Sequence, residues 1–243
     1  GKDTLNVLAE QLIKDKHQII RNAGLSVIGM DKKNEVKSMI FTDKHSSTRA
    51  KALSVYERFE GEAAVPVAEK VLQKEQAYEP IKAALEVIYK HDKTKGLQFA
   101  DQLTSEKAAT LVSYLTGIFA DSGDPAYLNY IEENLVNVSV YQVFNVFGKY
   151  KELLLKQDVD TMMKRVEMLK NMAFNDGNVY RKYLATSTVS AIKDKLVKKE
   201  MEATEEAEKK AFVTRIDQLK RVIEEIISNE DDQSLKARYK SFQ

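Results

Sequence analysis

Two stretches of this chain are near-copies of each other. Residues 15–28 and 43–56 align without a gap, 28 positions apart, and share Asp15/Asp43, Lys16/Lys44, His17/His45, Arg21/Arg49, Leu25/Leu53, Ser26/Ser54 and Val27/Val55. A self-match at a fixed period marks a repeat architecture, in which one small unit stacks on copies of itself because no unit alone buries its apolar face. The chain is therefore predicted to be all-α: an α-solenoid of antiparallel helix pairs.

The first helix is predicted over residues 4–14, with Leu5, Leu8, Leu12 and Ile13 on one face. Asp15 ends it. The second runs from about Gln18 to Gly29 and presents Ile20, Leu25, Val27 and Ile28, with Ala23 and Gly24 small enough for close approach and Gly29 as its C-terminal stop. The unit restarts with Val36, Ile40 and Phe41 in the places of Leu8, Leu12 and Ile13. After Gly61 a third unit puts Ala64, Val67, Ala68, Val71 and Leu72 on its first helix. Its second helix carries Ile81 to Ile88; aligned on Leu85, Glu75 replaces the Asp and Ile81 replaces the Arg.

Less regular pairs follow: 93–103 with 105–120, 124–135 with 137–156, and 158–173 with 178–200. Ser105 and Lys107, Asp124-Pro125 and the turn at 175–178 punctuate them. A charged-outside helix over about 203–228 is predicted to cap the stack, with Phe212, Ile216, Leu219, Val222, Ile223, Ile226 and Ile227 on its inner side. The reading is of one helical domain over 1–243: regular repeats about 4–91, irregular pairs 92–200, and the terminal capping helix about 203–228.

Composition narrows the function. With 38 basic and 37 acidic residues the net charge is +1, so a basic stripe for nucleic acid is not expected. There are 0 Cys, which removes thiolate metal sites and disulfides. No apolar run of about 18 residues exists, so no transmembrane helix is expected. The start, Gly-Lys-Asp-Thr-Leu, carries no leader-like apolar segment, and Gly1 without a Met suggests a piece of a longer protein. The compartment stays open.

The pattern Asp15-x5-Arg21 followed by Leu25, repeated as Asp43-x5-Arg49-x2-Ala52-Leu53, resembles the HEAT and HEAT-like (armadillo-type) repeats. Asp is expected to fix the turn between two helices, and Arg to bridge to a neighbouring repeat's Asp. The period is shorter than the ~40–47 residues usual in such arrays. Within that group the chain looks most like the helical C-terminal domain of zinc aminopeptidases of the aminopeptidase N family, bacterial members above all. The repeats at the start, the drift to irregular pairs and the charged end at 224–239 carry that likeness. It implies a domain that closes over a catalytic domain and walls the substrate cavity.

Candidate site residues are therefore weighed against plain structural roles. His17, His45 and His91 are the only histidines, and no His-Glu-x-x-His helix is present. His17 and His45 are read as solvated turn residues. Asp15, Arg21, Asp43 and Arg49 are read as a structural repeat ladder, with Arg49 meeting Asp15 or Asp43. Lys193, Lys195, Lys198 and Lys199, balanced by Asp194, Glu200 and Glu202, are read as an ordinary solvated helix face. Tyr141, Phe144, Phe147 and Tyr150 are read as core rather than as a peptide groove. No Gly-x-Ser-x-Gly elbow occurs.

The expectation is a chain with no catalytic residue, no metal and no cofactor of its own, zinc belonging only to a catalytic domain elsewhere. Its partners would be other domains of the same polypeptide, or a protein or peptide. The rival reading is a free-standing HEAT-like scaffold that binds a protein on its concave face.

Overall fold

The computed structural model describes residues 2–106, 108–136 and 138–243, with side chains from Val7 onward. Lys107, Asn137 and the side chain of Leu5 lie outside what is described. Every regular element among the described residues is helical. The contacts gather into two compact units, Gly1–Ile118 and Phe119–Gln243.

In the first unit the helices come in pairs: α1 (Lys2–Leu12) with α2 (Gln18–Val27), α3 (Lys33–Thr42) with α4 (Ser46–Glu60), and α5 (Val65–Lys74) with α6 (Tyr78–His91). The second helices also touch in order, α4 packing against both α2 and α6. One continuous core runs through them, from Ala9 and Ile13 through Leu25, Ile40, Leu53 and Tyr56 to Val71, Ala84 and Ile88. Gly61 ends α4 at φ 56°, a left-handed conformation that costs a glycine little. α7 (Lys93–Gln102) follows, its first turn capped by the Asp92 carboxylate accepting from Lys95 N–H at 2.9 Å.

The close approach of α1 and α2 depends on Gly24. A Cβ there would sit 2.8 Å from the Ile13 backbone nitrogen and 2.9 Å from Leu12 Cβ. Gly24→Ala should therefore destabilise the protein by about 1–3 kcal/mol, because overpacking against backbone outweighs the helix propensity that Ala brings. Urea unfolding measures this; a stabilised variant would show that the pair is not packed this way.

Several apolar assignments shift by one row. Leu8 is 48% exposed, Val27 50% and Phe41 42%, while Ala9, Val36 and Ile40 are buried. Ala23 is exposed as well; Gly24 alone makes the approach. Gly29 is no left-handed stop: α2 ends at Val27, and Ile28 and Gly29 are extended.

The chain passes from the first unit to the second within α8 (Ala109–Ser122); in the second unit α9 (Tyr127–Leu135) packs on α10 (Val143–Leu155). The segment 158–173 is split into α11 (Val159–Lys164) and α12 (Val166–Asn175). The long α13 (Val179–Glu202) packs against α10, α12 and α14 (Glu206–Asn229). Its buried Thr186 and Thr188 hydroxyls donate to carbonyls four residues back, which lets small polar residues line a packed face. α14 buries Phe212, Ile216, Leu219, Ile223, Ile226 and Ile227. The helix read as a terminal cap is not the last element. α15 (Gln233–Tyr239) follows, buries Leu235 and Tyr239, and packs on α13 and α14.

Candidate functional site

The repeated charges build a ladder. Each rung starts at an acid placed two residues before the N-cap of a helix. Asp15 Oδ1 accepts from His17 N–H at 2.7 Å, Asp43 Oδ1 from His45 N–H at 2.9 Å, and Glu75 Oε1 from Ala77 N–H at 3.0 Å. His17, His45 and Ala77 are the N-cap residues and cap nothing with their side chains. The acid thus fixes the turn from one step further out.

Four residues into the helix stands the arginine. Arg21 Nε and Nη2 donate to Asp43 Oδ2 and Oδ1 at 2.7 and 2.8 Å, while Nη1 donates to the Asp15 and Lys16 carbonyls at 3.0 and 3.1 Å. Arg49 repeats the geometry: Nε and Nη2 reach Glu75 Oε2 and Oε1 at 2.6 and 2.9 Å, and Nη1 reaches the Asp43 carbonyl at 2.9 Å. Each guanidinium therefore holds its own turn by the backbone and the next turn by a two-point carboxylate clasp. The expected partner of Arg49 was Asp15 or Asp43. The carboxylate it binds is Glu75, one pair further on, and only the backbone of Asp43 is engaged. The ladder runs forward and stops at Ile81, which has no charge to offer.

Burial alone would push the Asp43 carboxyl up, but the Arg21 guanidinium and the His45 N–H outweigh it and hold the group below the usual carboxylate range. Arg49 does the same for Glu75, against its burial. Burial likewise opposes, and Arg181 with the Asn178 N–H overcomes, at Asp176. In each case the folded state holds its proton less tightly than the unfolded chain. The stability they contribute is full above the unfolded values of about 4 and is lost as pH falls through the lower folded ones. The urea midpoint should stay flat from pH 7 to about 5 and drop below about 4, with a shallower drop in Asp43→Asn. A midpoint that rises on acidification would contradict the ladder.

The same device recurs, unannounced, in the second unit. Asp176 Oδ1 accepts from Asn178 N–H at 2.7 Å, and Asn178 is the N-cap of α13. Four residues on, Lys182 Nζ lies 2.7 Å from Glu230 Oε2. Glu230 in turn accepts from Asp232 N–H at 3.0 Å, and Lys236 Nζ donates to the Glu230 carbonyl at 3.4 Å. Asp176-x5-Lys182 is the signal that sequence reading passed over: the spacing is that of the repeat, with Lys for Arg.

No protein-family model and no curated protein matches the chain. Among solved structures, a computationally designed self-assembling cyclic protein homo-oligomer is similar over 99% of this chain and 87% of its own, at 11% identity and a TM-score of 0.28. At that score the likeness carries no argument.

The remaining candidates resolve as follows. His17 is exposed and His45 half-buried. His91 Nε2 lies 2.8 Å from Glu57 Oε1, which also accepts from Lys90. Among the described residues no group of three His, Asp or Glu side chains is arranged to hold a metal ion. The lysine run is not a plain solvated face. Lys193 is 7% exposed and donates to the Phe242 and Gln243 carbonyls at 2.6 Å, and Lys195 donates to the carbonyl of Leu155 at the end of α10. Long stems bring these ammonium groups to carbonyls that need donors. The aromatic cluster divides: Phe147 and Tyr150 are core, whereas Tyr141 is 94% and Phe144 51% exposed. A 260 Å³ cleft beside the second rung is lined by Phe41, Lys74, Arg49 and Glu75, but the Arg49 donors there are already engaged.

Proposed function

We propose that this chain is a non-catalytic, HEAT-like helical repeat domain whose work is to hold protein surfaces in place. Its specific setting is the C-terminal domain of a larger zinc metallopeptidase of the aminopeptidase N type, where it walls the substrate cavity. The observation that carries the reading is the forward ladder. Arg21 and Arg49 each bind the acid of the following helix pair, so that the contacts run from one unit to the next, as an α-solenoid requires. The charged signature that most suggests chemistry is thereby engaged inside the stack. The Asp-x5-Arg resemblance supports the peptidase setting, and the contribution would be geometric: walls that exclude water and position a peptide.

A second reading, the free-standing scaffold, draws support from the second unit. Phe144 and Tyr180 meet edge to face at 5.4 Å with about half of each residue exposed, and Tyr141, three residues before Phe144 in the chain, is 94% exposed. Exposed aromatics of this kind suit a protein partner.

Two experiments test the proposal. Calorimetry with zinc and an aminoacyl-anilide assay on this chain should both be silent; stoichiometric zinc binding with turnover would overturn the non-catalytic reading. Sequencing upstream in the gene should reveal a His-Glu-x-x-His helix. An upstream region without one would discard the peptidase setting in favour of the scaffold.

A further inference from the structure

In the first unit the ladder acids are covered in turn. Arg21 binds Asp43 and Arg49 binds Glu75, but no cation among the described residues reaches the side chain of Asp15. That carboxylate keeps one oxygen unclasped at the position where its two equivalents hold a guanidinium.

A second observation falls on the same end of the unit. α4 turns one helical row toward α2: Gln18 donates to Ser47, Lys51 donates to Ser26, and Val55, next on that row, is 5% exposed. α6 turns the equivalent row toward α4: Ser46 donates to Glu79 at 2.7 Å, and Ala83 and Val87 are 6% and 5% exposed. The matching row of α2 is Ile19, Ala23 and Val27. Ile19 is 82% exposed, Val27 50%, and Ala23 is exposed too. An apolar row and an unclasped acid thus share the face that, in the second and third pairs, lies under the pair before.

We propose that this outer face of α2 is a docking surface for one further helix pair of the same type. The partner lies along α2 as α2 lies along α4, and it presents an Arg or Lys from the fourth position of its second helix to Asp15. Charge decides the occupant: an apolar surface alone would leave Asp15 desolvated and unpaired, which costs more than the contact yields. A cation of fixed register among small and aliphatic side chains satisfies both features. The inference stands on the first three helix pairs alone, so its failure would leave the proposed function untouched.

The test extends the full chain at its N-terminus with an additional copy of residues 5–32, so that the natural α2–α3 connection joins the copy to α1. Hydrogen exchange then reads the added helices. Their amides are expected to be protected about 100-fold or more over the unfolded rate. Asp15→Asn, or Arg→Gln at the copy's counterpart of Arg21, should each remove about tenfold of that protection, and both together no more than one. Ile19→Asp should abolish the protection, while in the unextended chain Ile19→Asp and Asp15→Asn leave the urea midpoint in place. An added copy that exchanges as unfolded chain, or whose protection is undiminished in Asp15→Asn, overturns the proposal. So does a concentration-dependent dimer of the unextended chain that Ile19→Asp dissolves, which would assign the face to a second copy.

Discussion

Leu53→Ala is expected to cost roughly 2–5 kcal/mol of folding stability, measured by urea or thermal unfolding. Leu53 is 0% exposed and sits on α4, which touches α2, α3 and α6 at once. With three neighbours held by their own contacts, the site has little freedom to collapse, so the lost methyl groups leave a cavity. Val27→Ala, at a half-exposed position of the preceding repeat, should change stability by no more than about 0.5 kcal/mol. Similar losses at both positions would mean that the repeat register is wrong.

Arg21→Ala is expected to be as damaging, at roughly 3–5 kcal/mol. The Arg21 and Asp43 side chains are 7% and 6% exposed, so water screens the pair very little. Truncation strands the Asp43 carboxylate in the interior and leaves the Asp15 and Lys16 carbonyls without their donor. Arg21→Lys should recover only part of the loss, because an ammonium has no two-point fork for a carboxylate. The loss should be nearly independent of salt between about 0.05 and 0.5 M; a strong salt dependence would place the pair at the surface instead.

Sequence made the ladder's members visible and hid its direction. Identity at 15/43 and 21/49 exposes the acid and the cation, because both kinds of residue are needed once per unit. Whether Arg49 reaches back or forward depends on how the second helices α2, α4 and α6 lie against one another, which periodicity does not encode. The alignment puts Glu75 in the place of Asp, and the same register, carried one pair forward, makes it the carboxylate that Arg49 binds. The second-unit rung was hidden for a different reason. Lys182 replaces Arg, and two long helices separate Asp176 from Glu230, so no fixed period links them.

Core assignments failed where two rows compete. Leu8, Val27 and Phe41 satisfy helical spacing as well as their buried neighbours do, and only the positions of adjacent helices decide which row is covered. The lysines of α13 show the same limit from the polar side. Counter-charges nearby in sequence suggest a solvated face, yet Lys193 and Lys195 serve backbone carbonyls that are distant in sequence.

The central claim, that the repeat charges couple each helix pair to the next, is tested most directly by two double-mutant cycles. Arg21→Gln with Asp43→Asn should show a coupling of about 1–3 kcal/mol, because the two side chains form one bidentate contact. Arg21→Gln with Asp15→Asn should show almost none, since Arg21 meets only the backbone of Asp15. Coupling found between Arg21 and Asp15 but not between Arg21 and Asp43 would contradict the forward ladder and the stacking drawn from it.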